Sequence, residues 1–254
     1  MIKRKTIVHQ EGMVLNKFLA HCGLGSRRQC ADWVKAGWVK VNGRTVREPS
    51  VRVQDGDRVL FKGKPVRIEK KYYVLLNKTK GVITTTRDEN DRPTVMDLLN
   101  WPHPERLYPV GRLDRNTTGV LLLTNDGDLA QRLLHPSGRV TKVYRATLDQ
   151  PISREHLEAI AAGVPLEDGV AHVDAVALPD PGDARIVGLE LHSGKNRVVR
   201  RIFEQLGYQV IKLDRTSFAG LTKRRLPPGH WRYLTSQEVN RLRRMGIKPR
   251  PKGE

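Results

Sequence analysis

Hydrophobic positions near the start of the chain predict a pair of short helices. Leu15, Phe18, Leu19 and Cys22 recur at the i, i+3, i+4, i+7 spacing of a helix with one buried face. Two glycines follow this pattern closely and end it, so a second helix is expected to begin directly after them.

Ser26 is the predicted N-cap of the second helix. Gln29 follows three residues later and completes a capping box, in which each side chain bonds to the backbone N–H of the other residue. The helix is expected to stop at Gly37. The pair Asn42-Gly43 between valine-containing runs then predicts a β-hairpin, and residues 58–62 predict a further strand.

The middle of the chain contains shorter apolar runs that favour strands, with helices between some of them. Predicted strands cover residues 72–77, 82–86, 120–123, 143–148, 171–178 and 186–192. Predicted helices cover a short segment from Pro93, a segment that ends near His135, and residues 153–162 and 196–206. Because the strands adjoin without regular crossovers, we predict an α+β fold. A mostly antiparallel or mixed sheet carries flanking helices and is preceded by a small α/β domain.

Charge divides the chain into three parts. The 254 residues carry a formal net charge of +19. Residues 1–71 hold 17 basic and 6 acidic residues and residues 223–254 hold 10 and 2, whereas residues 72–222 hold 19 of each. Two basic ends around a neutral body are typical of a protein that binds a polyanion, because neutralised phosphates release their counterions.

Other sequence features exclude several classes of protein. Cys22 and Cys30 are the only cysteines and lack metal-ligand spacing, which favours a reduced, cytoplasmic setting. The basic N-terminus is not followed by an apolar run, so no signal peptide is expected. No stretch approaches the ~18 consecutive apolar residues of a membrane span, so no membrane partner is expected.

Arg27 and Arg28 lie in the first turn of the second predicted helix, where the helix dipole favours anions over cations. Two guanidinium groups beside exposed backbone N–H groups form either a phosphate pocket or a solvated pair without a ligand. The sequence alone leaves both interpretations open.

Asp114 is the candidate for chemistry. It lies between two arginines on a loop bounded by Gly111 and Gly119, before the apolar run at residues 120–123. Positive neighbours favour the ionised form of a carboxylate, which can act as a nucleophile or base. An Asx turn, in which the side chain bonds only within its own loop, is the alternative that spacing alone does not exclude.

Four blocks near the N-terminus resemble the S-four-type RNA-binding domain, named after a small-subunit ribosomal protein. They are the segments LNKFL at 15–19, GSRR at 25–28, GWVKVNG at 37–43 and DGD at 55–57. The resemblance implies RNA binding through a face that includes Arg27, Arg28 and Lys35. It predicts an RNA-binding domain at residues 1–62 and a flexible linker at residues 63–71.

The rest of the chain resembles ribosomal RNA pseudouridine synthases of the branch that carries this RNA-binding domain. The segment GRLDRNTTGVLLLTNDGDL, residues 111–129, is similar to the family signature. Supporting blocks follow in family order: LNKTKG at 76–81, LHP at 134–136, KVY at 142–144, GV at 163–164 and GKNRVVR at 194–200. We therefore expect a catalytic domain at residues 72–240 and a disordered basic tail at residues 241–254.

The resemblance implies an isomerisation of uridine to pseudouridine and assigns three catalytic residues. Asp114 is the essential carboxylate, Arg200 pairs with it, and Tyr144 stacks on a uracil that has left its helix. The reaction exchanges one bond of uracil for another without oxidation or group transfer. No cofactor and no metal are therefore expected.

Further basic residues are expected to contact the RNA. Arg112 and Arg115 flank the catalytic carboxylate and contact phosphate or brace the loop. Lys195 and Arg197 belong to the block before Arg200 and are also expected RNA contacts. Residues 216–225 resemble the family only loosely. Because this region is expected to help select the RNA, the identity of the RNA is the least determined part of the prediction.

The predicted substrate is ribosomal RNA, with large-subunit 23S RNA favoured over 16S RNA. This preference rests on the first domain and on residues 81–99, which are similar to the large-subunit members. The enzyme is expected to act as a monomer, on RNA alone or within an assembling subunit. The alternatives are a synthase that acts on transfer RNA and a non-catalytic RNA-binding factor for ribosome assembly.

Overall fold

The computed structural model describes residues 12–101 and 107–245. The chain divides into two compact units between Lys71 and Tyr72. Within the described ranges, no helix has the length and apolar character that a membrane crossing requires.

The described part of the first unit contains two helices and six short strands. In chain order these are β1 (Met13–Val14), α1 (Leu15–His21), α2 (Arg27–Lys35), β2 (Val39–Val41), β3 (Arg44–Val46), β4 (Arg52–Val53), β5 (Val59–Phe61) and β6 (Lys64–Pro65). Strand β1 pairs with β4, and a separate four-stranded sheet has the order β3-β2-β5-β6. The predicted helix pair and hairpin are both confirmed.

Local sequence explains how α2 begins and what it buries. The Ser26 hydroxyl accepts from the Gln29 N–H at 3.3 Å, and the Gln29 side chain accepts from the Ser26 N–H at 2.9 Å, which confirms the capping box. Cys30 and Val34 of α2 are fully buried against Leu19 of α1 and the sheet. The first unit therefore has its own hydrophobic core.

Residues 63–71 are part of the first unit and do not form the expected linker. Strand β6 lies in this segment and pairs with β5. The backbone N–H of Glu69 donates to the carbonyl of His21 at 3.0 Å. Val66 packs against the hydrophobic cluster that contains Leu15. The domain boundary expected at residue 62 therefore moves to residue 71.

The second unit is built on one nine-stranded sheet with helices on both faces. Its elements are β7 (Tyr73–Lys78), β8 (Tyr108–Pro109), β9 (Thr117–Thr124), α3 (Gly127–Leu134), β10 (Lys142–Leu148), α4 (Arg154–Ala162), β11 (Ala175–Ala177), β12 (Ile186–Leu191), α5 (Val198–Gln205), β13 (Val210–Phe218), β14 (Leu221–Thr222), β15 (Trp231–Tyr233) and α6 (Ser236–Arg244). The strand order is β11-β12-β10-β13-β9-β7-β15, with β8 attached to β9 and β14 to β13. Among these described pairs only β9 and β13 run parallel. The predicted α+β class is confirmed.

The apolar faces of the helices are buried on this sheet. Helices α4 and α5 cover the half formed by β10 and β12 through residues such as Ile160 and Phe203. Helices α3 and α6 cover one face of β7 and β9 through Leu129 and Leu242. The segment 82–101 covers the opposite face of the same two strands.

The predicted strand at residues 82–86 and the predicted helix after Pro93 are both wrong. The first segment forms only an isolated β-bridge, and the second forms short hydrogen-bonded turns. The Asp97 carboxylate accepts from the Thr94 N–H at 2.6 Å, a contact typical of a first helical turn, but the turns end at Leu99. Val95 is nevertheless fully buried.

The C-terminal part of the chain is more ordered than the sequence predicts. Strand β13 was not predicted, although at nine residues it is the longest described strand. Helix α6, which begins at a capping box between Thr235 and Glu238, extends to Arg244. The tail expected from residue 241 therefore starts inside a helix, and its remainder, residues 246–254, lies outside the described residues.

Candidate active site

The loop that carries Asp114 connects β8 to β9 and lines a cavity of about 280 Å³. Side chains from three other elements line the same cavity: Tyr144 of β10, Arg215 of β13, and Lys195 from the loop before α5. The fold therefore brings the predicted carboxylate and the predicted stacking residue to one site.

A buried lysine holds the Asp114 loop. Lys78 is fully buried, and its ammonium donates to the carbonyls of Thr79 at 3.1 Å, Asp114 at 3.1 Å, Arg115 at 3.3 Å and Thr117 at 2.9 Å. Burial lowers the pKa of Lys78 to about 8, and the negative charge of Asp114 acts in the opposite direction. In the sequence, Lys78 belongs to a segment that resembles the family, but no role was predicted for it.

Two further residue pairs brace the loop on either side of Asp114. The Thr84 hydroxyl donates to the Leu113 carbonyl at 2.7 Å. The Arg115 guanidinium donates to the Gly81 carbonyl at 3.2 Å, and the Gly81 N–H donates back to the Arg115 carbonyl at 2.9 Å. Of the two predicted roles for Arg115, the structure therefore shows the bracing contact.

Tyr144 lies at the junction of the two halves of the sheet. It is half-buried and packs against the clusters on both sides of the cavity. Its direct cross-strand neighbour in β13 is Arg215, next to a register shift between Val143 and Tyr144. Such bulges redirect side chains in a sheet.

Arg215 is a buried cation that sequence reasoning did not single out. Its side chain lies in the core of the unit, with 2% of the residue exposed. The Nε donates to the Val120 carbonyl at 2.8 Å, and the guanidinium carbon is 4.8 Å from the centre of the Phe218 ring. Burial lowers the pKa of Arg215, whereas the charge of Tyr144 and hydrogen bonding with its hydroxyl act in the opposite direction.

Arg200 lies near Asp114 without the direct contact that was expected. Its guanidinium donates to the Val210 carbonyl at 2.8 Å. Burial and the charge of Arg197 lower the pKa of Arg200, and Asp114 acts in the opposite direction. Within the described chain no ion pair joins Arg200 to Asp114. Arg200 therefore acts on Asp114 in this structure only through the electrostatic attraction of its charge.

The rim of the cavity is basic. Arg112 is exposed there, and Lys195 and Arg197 complete the rim. The Lys195 ammonium donates to the Asp168 carbonyl at 2.8 Å, and Arg197 pairs with Glu204 at 3.2 Å. These contacts fix the two side chains at the entrance.

The basic residues predicted in the first unit lie on one helix. Arg27, Arg28 and Lys35 are exposed on α2. No acidic residue occurs in the first turn of that helix. The first unit therefore presents concentrated positive charge to solvent.

Two family models match the chain. The model for RNA pseudouridylate synthase matches residues 72–205, and the model for the S4 domain matches residues 14–59. A Bacillus subtilis protein named ribosomal large subunit pseudouridine synthase B is 41% identical over 232 residues, which cover 90% of this chain and 95% of that protein. The chain belongs to the RNA pseudouridylate synthase family.

Two further relatives support this assignment. The dual-specificity RNA pseudouridine synthase RluF of Escherichia coli is 35% identical over 228 residues, which cover 89% of this chain and 76% of that protein. A crystal structure of a pseudouridylate synthase aligns with a TM-score of 0.64 and 30% identity, and covers 90% of this chain and 98% of that one. The protein is thus a pseudouridine synthase with an N-terminal S4 domain, as its sequence predicted.

Proposed function

We propose that this pseudouridine synthase modifies one uridine of large-subunit ribosomal RNA, with Asp114 as its catalytic carboxylate. The observation that carries the proposal is the cavity that Asp114 and Tyr144 line together. The choice of RNA rests on the Bacillus subtilis relative, whose name specifies the large ribosomal subunit and which is 41% identical.

The proposed reaction breaks the bond between ribose C1′ and uracil N1 and rejoins the base through C5. Asp114 either attacks C1′ or removes a proton from the ribose. Tyr144 stacks on the uracil after the nucleotide has left its helix, at a cost of roughly a few kcal/mol. Contacts of the RNA with the protein offset this cost.

Other residues take supporting roles in this proposal. Arg200 is a positioning residue, because its guanidinium is fixed on the Val210 carbonyl and its charge acts on Asp114. Arg112 and Arg197 at the rim neutralise phosphates near the flipped nucleotide. The exposed basic residues of α2 bind RNA through the S4 domain.

The test is a pseudouridine map of ribosomal RNA from cells that lack the gene. The cells are complemented with wild type, with Asp114→Asn, or with Glu155→Gln. The last variant makes the same change of carboxylate to amide on the exposed surface of α4. We expect one large-subunit uridine to lose modification and to regain it with wild type and Glu155→Gln only.

Three other results would contradict parts of the proposal. Restoration by Asp114→Asn would remove the catalytic role of that carboxylate. A change confined to small-subunit or transfer RNA would replace the substrate. No changed uridine in any RNA would favour the non-catalytic ribosome-assembly factor.

A further inference from the structure

Two residues of the cavity lining each hold a buried polar side-chain atom without a hydrogen-bond partner. These atoms are Nη2 of Arg215 and Oγ1 of Thr117. The other polar contact of the Arg215 guanidinium on this side is with the Tyr144 hydroxyl. Both residues line the cavity, and each is 2% exposed. A buried polar group without a partner destabilises the folded protein. Two such groups on one cavity wall therefore point to a ligand that satisfies them.

The charge of Arg215 is also uncompensated. None of the ion pairs in the part of the chain that the structure describes includes Arg215. Lys142, a second cation, lines the same cavity, and the charge of Arg215 contributes to lowering its pKa. A buried charge without a counter-ion is strongly unfavourable. The site is therefore suited to a ligand that carries negative charge.

The guanidinium of Arg215 is held in place before any ligand binds. Its Nε bonds to the Val120 carbonyl, and the Phe218 ring packs against its plane. Position 215 is also the cross-strand partner of Tyr144. A uracil stacked on Tyr144 consequently lies beside a fixed donor, which is the arrangement that stabilises developing charge.

The proposed reaction produces such a charge whichever role Asp114 has. When the bond from C1′ to N1 breaks, its electron pair leaves with N1, and the uracil becomes an anion whose charge is shared by O2 and O4. The anion then bonds to C1′ through C5. C5 loses its proton, N1 gains one, and the ribose carbon releases the carboxylate or regains the proton that it gave up.

We propose that Arg215, together with the Thr117 hydroxyl, binds the uracil carbonyl oxygen on which this negative charge develops. This inference rests on the proposed function. The Nη2 donor strengthens its bond as the uracil anion forms, so Arg215 stabilises the transition state more than the bound RNA. Backbone phosphates meet the exposed Arg112 and Arg197 at the rim instead.

Arg215→Gln and Thr117→Val test the proposal in the full-length protein. The control is Lys212→Gln, which removes a cation from the exposed face of the same strand. The substrate is an RNA fragment that carries the mapped uridine, with uridine or 5-fluorouridine at that position. Single-turnover loss of the substrate nucleoside, RNA Kd and Tm are measured for each variant.

We expect Arg215→Gln to lower the single-turnover rate on uridine about 100-fold, the usual effect of losing an oxyanion donor. RNA affinity stays within about threefold, since the contact strengthens only as charge develops. Thr117→Val lowers the rate about tenfold, as expected for one neutral hydrogen bond. Fluorine stabilises the departing uracil anion, so both losses are smaller with 5-fluorouridine. Lys212→Gln matches wild type.

An unchanged rate for Arg215→Gln overturns the inference. So does an equal loss of affinity with both nucleosides, which identifies a phosphate contact. If Arg215→Gln fails to fold, Thr117→Val is the deciding variant. A loss of rate in Thr117→Val that is equal for uridine and 5-fluorouridine then counts against the proposal. A wild-type enzyme that converts no uridine refutes the proposed function itself, before any variant is compared.

Discussion

The ammonium of Lys78 donates to the backbone carbonyl of Asp114 at 3.1 Å. A fully buried lysine therefore fixes the main chain of the residue proposed to start the reaction. Three more carbonyls of the surrounding turns share the same ammonium. The loop thus depends on one side chain from a neighbouring strand.

Lys78→Met should disable the enzyme without preventing RNA binding. The change leaves buried carbonyls without a donor, which lowers the free energy of unfolding by about 2 kcal/mol. A displaced carboxylate should lower the single-turnover rate about 100-fold. Urea denaturation and single-turnover assays measure the two effects. Lys80→Met is the control because Lys80 is exposed, and equal behaviour of the two variants would contradict the bracing role.

Arg112 and Arg115 should differ in function although they flank the same aspartate. Arg112 is exposed at the cavity, whereas Arg115 bonds to Gly81. Arg112→Gln should weaken RNA binding and reduce the slope of log Kd against log salt by about 1. Arg115→Gln should lower kcat and leave that slope unchanged. The idea fails if salt titrations give both variants the same slope.

Lys142 should make catalysis sensitive to alkaline pH. Burial, with the charge of Arg215 acting in the same direction, lowers the pKa of Lys142 to about 8. The side chain is cationic below this pH and neutral above it. Because RNA is anionic, kcat/KM should fall about tenfold as the pH rises through 8, equivalent to one charge-assisted hydrogen bond.

Lys142→Arg is the control for this pH effect, because arginine stays charged throughout the range. Its kcat/KM should fall less steeply than that of wild type, and the fall that remains comes from Lys78, whose pKa is also about 8. An identical fall in both proteins would exclude Lys142 as a cause. The free energy of unfolding should change with pH in the opposite direction to kcat/KM. The folded state binds fewer protons than the unfolded state between pH 8 and 10.5, so the contribution of Lys142 to the free energy of unfolding rises across that interval.

Gly119→Ala should destabilise the catalytic unit. Gly119 has φ +108° and pairs with Arg215 where β9 and β13 run parallel. A Cβ atom there would overlap the Arg215 backbone. We expect the free energy of unfolding to fall by at least about 3 kcal/mol in urea titrations. Gly182→Ala, whose added Cβ meets only Asp180 at 3.4 Å, should stay near wild type; similar losses in both would refute the argument.

Amphipathic helices and local turns were the parts of the fold that the sequence predicted well. The stripe Val199, Ile202 and Phe203 in α5 is buried as its spacing indicates. Such patterns are local, since one buried face determines them. The helix predicted after Pro93 is limited to short turns, because Pro102 disfavours helical backbone at Trp101 and leaves room for little more than one turn.

Strand β13 and Arg215 show what local patterns do not contain. The strand has the sequence VIKLDRTSF, without a continuous apolar run, and its place in the sheet is determined by partners about 70 to 100 positions earlier. Charged residues are rarely buried, so no local pattern in the sequence marks Arg215 as a core residue. Only the pairing of Arg215 with Tyr144 and Gly119 shows its position in the cavity.

The position of β13 in the sheet has a consequence for biosynthesis. The Asp114 loop leads into β9 and Tyr144 belongs to β10, and β13 lies between these two strands. A nascent chain that ends after α5 contains all three residues predicted to act in catalysis, yet its β9 and β10 have no strand to join them. The catalytic unit therefore completes its active site only after residues 210–218 have left the ribosome.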